Sequence, residues 1–416
     1  MSSVSNIPEC HGIYGVHESE IGDGKTSLSP PRLQTTKVGN QLAFATGGIQ
    51  IGRPLLPFSK ERLIATCKHH QAAYVEDGTN VDPTLTRRNA IRYIFKACEL
   101  PSALQKPALL QLADRNAERR AHEAKMVQLI LDNCVIRLEP RCGSLTVNLP
   151  DTQILRGLQK KLAPHATGAD PPVLDAEFVR RVVSMITPQE TVSLDPLQAA
   201  VWGMDPHGLQ YNHDRTREQL MSFTCAGLQF CQIGHGQWQI WRQRPSKEVQ
   251  RKRVRMLDQK HQDVLFDNRF WIHLRSPKPV EAQLIVRFAT EQDLARLRTR
   301  VADKEIPETM WAAIESDLRR LAPGNQRFSL PVIAKASSPS SKEEHLETPK
   351  SDLSEVGDVI ALPTLGYTFN EMFVQEWEWL KGVNFHVMFR KVDLRNVIVD
   401  ERGEETVKKE EGNRPK

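Results

Sequence analysis

At 416 residues the chain is long enough for two or three domains, and 39% hydrophobic residues supply packed cores. A mean hydropathy of -0.45 and 26 prolines demand much loop, and no run of about 18 apolar residues offers a membrane-spanning helix. The net charge of +5 and pI near 8.8 are compatible with RNA binding without being diagnostic of it.

Residues 1–50 hold one motif-like string, Cys10-His11 followed by His17-Glu18. These are metal-ligand types, but no second cluster lies near in sequence to complete a site, so a glycine-bounded loop is the plainer reading. Glu9, Glu18, Glu20 and Asp23 are residue types rare in mitochondrial transit peptides. Gly22 to Asn40 is polar and proline-containing, as a flexible insertion is.

The stretch Ile51 to Arg92 organises the chain. Arg53-Pro54-Leu55-Leu56-Pro57 is extended, because each proline biases the residue before it away from helix. Ser59 is a candidate N-cap for a helix to Gln71 with an apolar stripe of Leu63, Ile64 and Cys67. Glu76-Asp77-Gly78-Thr79-Asn80 has turn composition, and Arg87-Arg88-Asn89-Ala90-Ile91-Arg92 opens the next helix. The residue types leave two readings open. One is a capped helix whose arginines are solvated. The other is a phosphate or nucleotide site, where guanidinium forks and the free N–H groups of a helix start act together.

The order of these residues says more. Arg53-Pro54-Leu55-Leu56, then Asp77 with Thr79-Asn80, then Arg88-Asn89 with Arg92 resemble the tRNA(Ile)-lysidine synthases of the PP-loop ATPase superfamily. That family has Arg-Pro-Leu-Leu, a short helix, an Asp-Pro-Ser/Thr-Asn turn and Arg-Asn-x-x-Arg. Gly78 stands where the family has proline. The likeness continues weakly to about residue 135, then loosely at Phe223 to Phe230 and Asp267 to Ile272, in a shape that points to the fungal, mitochondrial branch. The family's Ser-Gly-Gly-x-Asp-Ser phosphate loop has no counterpart: Thr46-Gly47-Gly48-Ile49-Gln50 lacks the Asp and the final Ser. His69-His70, followed by Gln71-Ala72-Ala73-Tyr74, is not the family's His-His-x-x-Asp-x-x-Glu element either.

Further along, Thr84 to Cys134 is helical, with Leu104, Ala108 and Leu112 on an apolar face and Arg115 and Arg119 on a basic one. Leu145 to Leu149 is a short strand, and Val173 to Ile186 and Leu194 to Trp202 are helices, the first with a core stripe of Val179, Val182, Val183 and Ile186. Phe223 to Ile233 and Gln237 to Arg242 read as the two arms of a hairpin. A basic run, Lys247, Arg251, Lys252, Arg253 and Arg255, lies near Trp238, Trp241 and Trp271. It is an RNA-contact candidate, the alternative being core tryptophans beside an exposed loop. Strands are expected at Phe270 to Leu274, Glu281 to Phe288, Ser329 to Ala334, Val359 to Pro363 and Asn384 to Arg390, and helices at Glu291 to Arg300 and Pro307 to Leu321. His207, His213, Asp214 and His235 match no standard metal spacing, and no Gly-x-Ser-x-Gly elbow occurs. Seven scattered cysteines, none in C-x-x-C, argue against a disulfide framework or zinc ribbon and for a reducing compartment.

The resemblance implies an α/β remnant of a PP-loop (adenine nucleotide alpha hydrolase-like) domain, then an α-helical segment and an α+β C-terminal region. The expected boundaries are 1–83 for the remnant, 84–165 for a helical tRNA- or substrate-binding segment and 166–334 for the α+β domain. A disordered linker at 335–357, closing strands at 358–400 and a disordered tail at 401–416 complete the scheme. The implied activity is ATP-dependent ligation of lysine to the wobble cytidine of tRNA(Ile), with ATP and Mg2+ as cofactors and tRNA and free lysine as substrates. Arg53, Asp77, Thr79, Asn80, Arg88, Asn89 and Arg92 would bind substrate or phosphate, and Arg251, Lys252, Arg253 and Arg255 would contact RNA. No metal ligand and no membrane partner are implied. The missing phosphate loop leads us to expect a chain truncated at its front, and a non-catalytic tRNA-binding remnant is the alternative. The expected location is the mitochondrion or the cytoplasm, since a truncated front would have carried any presequence.

Overall fold

Ser59 starts the first helix as its residue type predicts: its backbone is extended (φ -69, ψ 153) and its hydroxyl accepts a hydrogen bond from the Arg62 N–H at 3.3 Å. The helix, α1 (Lys60–His69), is the first in a computed structural model that describes residues 42–45, 55, 58–75, 77–151, 153–154, 157, 176–204, 221–252, 255–257, 264–276, 280, 284–336, 358–373, 377–394 and 396–399. These divide into two compact units, one within Ile49–Gln128 and the other made of residues 42–45 and those from Leu129 onward.

In the first unit, Leu63, Ile64 and Cys67 are the partly covered residues of α1, and its other residues are exposed. A 3-10 turn (Gly78–Val81) leads to α2 (Arg87–Ala97), and a second turn (Ser102–Leu104) to the long α3 (Lys106–Asp132). The apolar face expected over Leu104, Ala108 and Leu112 is not a core face: Leu104 and Leu112 are 49% and 54% exposed. From residue 110 to residue 123 every position of α3 is exposed. Between Phe58 and Met126, Asn89 is the one buried residue among those described, so this unit buries almost no apolar side chain.

The second unit carries the hydrophobic core and three sheets. A six-stranded sheet runs β15-β2-β3-β6-β5-β4, from β2 (Val135–Glu139), β3 (Ser144–Asn148), β4 (Ser222–Cys225), β5 (Leu228–Gly234), β6 (Gln237–Arg242) and β15 (Val397–Val399). It is antiparallel except where β15 joins β2. A five-stranded antiparallel sheet runs β13-β12-β11-β10-β7, from β7 (Arg255–Leu257), β10 (Leu284–Phe288), β11 (Pro331–Lys335), β12 (Val359–Leu362) and β13 (Tyr367–Thr368). A four-stranded sheet runs β1-β14-β9-β8, from β1 (Ala43–Phe44), β8 (Val264–Phe266), β9 (Phe270–Arg275) and β14 (Asn384–Phe389), with β1 parallel to β14. β1 is the one strand among the described residues of the first hundred.

The helices of this unit are α4 (Ala176–Ser184), α5 (Gln198–Met204), α6 (Lys247–Lys252), α7 (Glu291–Ala302) and α8 (Glu308–Leu321). On α4 the expected stripe is buried, with Val179, Val182 and Val183 fully enclosed, while Arg180 and Arg181 turn to Glu177. The expected hairpin forms between β5 and β6, but its first arm begins at Leu228, not Phe223. Phe223 belongs to β4, and a second hairpin turns between β4 and β5 at Ala226 and Gly227, whose φ values of 51 and 74 make the left-handed turn that matches strand twist. The basic run also changes form, since α6 occupies Lys247–Lys252 and β7 takes up Arg255. Of the linker expected as disordered at 335–357, Lys335 instead ends β11, paired with Leu284 of β10. Residues 337–357 and 401–416, with Cys10, His11, His17, Glu18, His207, His213 and Asp214, lie outside the described residues.

A buried polar knot joins the sheets. Asp267 and Asn268, both with positive φ, form the tight turn between β8 and β9. The Asp267 carboxylate accepts from Arg242 of β6 and from Arg269, each at 3.0 Å. Arg269, fully buried, also donates to the carbonyls of Cys142 at 3.2 Å and Ser329 at 2.6 Å, and Arg390 donates to that of Asn268 at 3.2 Å. One carboxylate thus sits between two enclosed guanidiniums whose remaining donors are spent on backbone oxygens.

Candidate functional site

The turn and helix start around Asp77 to Arg92 form one local construction. The Asp77 carboxylate accepts from the Thr79 N–H at 2.9 Å and the Thr79 hydroxyl at 2.7 Å, and these bonds hold its pKa below the ordinary carboxylate value. Asp82 repeats the arrangement with Thr84, at 2.8 and 2.7 Å, with the same effect on its carboxyl. Each Asp replaces a missing backbone partner in a turn, as short carboxylates do. The Asn80 side chain donates to the Asp77 carbonyl at 3.1 Å and folds the turn back on itself.

Thr86 caps α2, its hydroxyl accepting from the Asn89 N–H at 3.1 Å. The Asn89 side-chain amide then donates to the Thr79 carbonyl at 2.9 Å and to the Asp82 carbonyl at 3.0 Å. Both of its donors are therefore used inside the protein. Asn89 is a clamp that fixes the turn against the helix, and its amide is not offered to a ligand. Arg92 donates to the Asn80 side-chain carbonyl at 2.8 Å, which orients its guanidinium and leaves its other donors outward.

Arg87 and Arg88 occupy the first turn of α2, which holds no acidic residue. They are exposed and make no ion pair among the described residues. Two cations at the positive end of a helix dipole repel it, so helix stability does not account for them. An anion at this position would meet guanidinium forks and free N–H groups together. The described residues thus suit a phosphate or an adenylated group. They include no cluster of three His, Cys, Asp or Glu side chains able to hold a metal. Arg53 lies outside the described residues.

Of the second candidate group, Arg251 is exposed on α6, and the side chains of Lys252, Arg253 and Arg255 lie outside the described ones. Trp238 cannot stack on a base. It is 1% exposed, packed edge-on to Phe223 with ring centroids 5.7 Å apart, and belongs to the core of the six-stranded sheet. Trp241 and Trp271 are half-buried. The sequence reading missed Thr86 and Asp82, both flagged by the short polar types that cap helices and turns.

Residues 32–97 match the family model of the PP-loop domain. The chain is similar to the probable tRNA(Ile)-lysidine synthase of Schizosaccharomyces pombe, with 25% identity over 325 residues. That alignment covers 77% of this chain and 58% of the relative, so the chain spans a little over half the length of the curated protein it matches. No solved structure matches the chain at a significant level. The two likenesses bear out the resemblance carried by Arg53 to Arg92.

Proposed function

We propose that this PP-loop protein, a relative of the tRNA(Ile)-lysidine synthases, acts in tRNA modification, engaging tRNA phosphate or an adenylated wobble base at the start of α2. The observation that carries the reading is the pair Arg87 and Arg88, uncompensated at a helix N-terminus, beside Arg92 held in place by Asn80. In the whole reaction, the C2 oxygen of the wobble cytidine would attack ATP and release pyrophosphate, and the amine of free lysine would then displace AMP from C2. Here Arg88 and Arg92 would steady the negative charge. Asp77, Thr79 and Asn80 would shape the turn beside them, and Asn89 would hold that turn against α2.

The test is tRNA binding as a function of salt. Each lost phosphate contact flattens the slope of log affinity against log salt by roughly one unit. Arg88→Ala is expected to do so without changing amide exchange in α2. Unchanged slopes for Arg88→Ala and Arg87→Ala together would sink the reading.

A second reading has its own support. No Ser-Gly-Gly-x-Asp-Ser string occurs in the 416 residues, which favours a tRNA-binding role without ATP turnover by this polypeptide alone. The location we propose is the mitochondrion or the cytoplasm, and imaging of the tagged protein decides between them.

A further inference from the structure

The second unit contains a cleft that the tRNA reading does not use. It lies between α7 and α8, with empty space of about 330 Å³ including its open mouth. Leu294 and Leu318, both largely buried, line it on the apolar side. Trp311 lines it too, with the Arg298 guanidinium over its ring at 5.7 Å from the centroid.

The charge of the cleft is unbalanced. Arg298, Arg319 and Arg327 line it against the single carboxylate of Glu315. Glu315 accepts from Arg298 at 3.2 Å and from Arg319 at 3.2 Å. Both arginines are well exposed, so these pairs are weak and easily rearranged. Each guanidinium has five N–H donors, and Glu315 takes few of them. Arg327 comes from the 3-10 turn Gly324–Ser329 and makes no ion pair among the described residues. Its Nε is enclosed and has no hydrogen-bond partner. That atom is closed off from the cleft, so a ligand there would meet the terminal nitrogens of the Arg327 fork.

We propose that this cleft binds one nucleotide, its phosphate on Arg319 and Arg327 and its base against the flat Arg298–Trp311 pair. Guanidinium forks match phosphate oxygens, and unpaired bases stack on aromatic rings and on arginine planes. The space is too small for a duplex, so a nucleotide held there would lie partly outside its mouth. The nucleotide belongs either to an unpaired segment of RNA or to a free mononucleotide. Only the RNA source rests on the proposed tRNA role; the site itself does not.

The experiment titrates the full chain with cytidine monophosphate and, separately, with tRNA, reading tryptophan fluorescence, with Trp311→Phe assigning the signal among the seven tryptophans. The mononucleotide is expected to quench Trp311, and the double substitution Arg319→Ala with Arg327→Ala to weaken binding by about tenfold or more. Arg327→Lys, which keeps the charge and loses the fork, is expected to fall between. Displacement of the mononucleotide by tRNA identifies RNA as the source, and its persistence identifies a free nucleotide; either supports the site. The proposal is overturned if the double variant changes the affinity of neither probe. Because Arg88→Ala reads a different place, failure there leaves this readout intact, and the two ideas fail separately.

Discussion

Asn89 donates its side-chain amide to the Thr79 carbonyl at 2.9 Å, binding the first turn of α2 to a turn ten residues earlier. The same group reaches Asp82 at 3.0 Å, so one buried side chain holds both ends of the intervening loop. Asn89→Ala removes both bonds, a local loss of about 1–3 kcal/mol. We expect amide exchange across 77–92 to speed up, with tRNA affinity falling although no charge is lost. Unaltered exchange there would remove Asn89 from its positioning role.

Arg88 and Arg92 separate charge from bracing. Arg92 leans on Asn80, whereas Arg88 has no partner among the described residues. Arg88→Ala is expected to lower the salt slope by roughly one unit. Asn80→Ala keeps every charge, so it should preserve the slope while weakening absolute affinity, because the Arg92 fork is no longer oriented. Equal slopes in Arg88→Ala and the parent, measured side by side, would contradict this division of labour.

The turn titrates. Bonds from Thr79 depress the Asp77 carboxyl in the folded turn, as those from Thr84 do at Asp82. A carboxyl with a depressed folded pKa contributes its capping above the unfolded value and loses it as pH falls through the folded one. Acidification below the ordinary carboxylate range, about 3.9 for Asp, should therefore loosen the segment 77–84. NMR should show the Thr79 amide moving with an apparent pKa below that of a free Asp, and Asp77→Asn should abolish the movement. An apparent value at or above the free one would contradict the capping.

The knot at Asp267 is expected to be the most sensitive polar position of the second unit. Asp267→Asn leaves Arg242 and Arg269 enclosed without their carboxylate, a loss on the order of 3–5 kcal/mol. The urea midpoint should fall accordingly. Gly143, with φ +63, lies beside the same knot, and a Cβ there would meet the Arg269 guanidinium at 3.0 Å and the Phe389 ring at 3.3 Å. Gly143→Ala should cost about 1–3 kcal/mol through strain and overpacking. A midpoint unmoved by Asp267→Asn would show that the carboxylate is dispensable.

Purified as its 416 residues, the chain is expected to release no pyrophosphate from ATP in a lysine- and tRNA-dependent way, since no phosphate-gripping loop string is present. Turnover above background would favour the full ligase reading over the binding one.

Local patterns in the sequence carried much of this. Ser59, the Leu63-Ile64-Cys67 stripe and the start of α2 were legible because caps and helical spacing act over a few residues. The same holds for Leu284, Val286 and Phe288, which alternate into the core as expected. The break at Ala226 was hidden, because alanine rarely takes a left-handed backbone and gives no turn signal. Trp238 looked available because composition does not say which face of a strand is covered. The pairing of β1 with β14, at opposite ends of the chain, follows from tertiary packing that no local period encodes. No local pattern links Arg298, Arg319 and Arg327, which come from α7, α8 and the 3-10 turn Gly324–Ser329 and meet only through tertiary packing.

That Asn89 is the one buried residue between Phe58 and Met126, among those described, has a calorimetric consequence. The heat-capacity increment of unfolding comes mainly from newly hydrated apolar surface, and the denaturant slope from total exposed area. The first unit has little of either to release. A melting endotherm or urea curve of the whole chain would then report the sheets of the second unit, while α2 could uncoil without a visible transition. A variant with a normal melting profile can still have lost its arginine site, and only a probe placed at the site can tell.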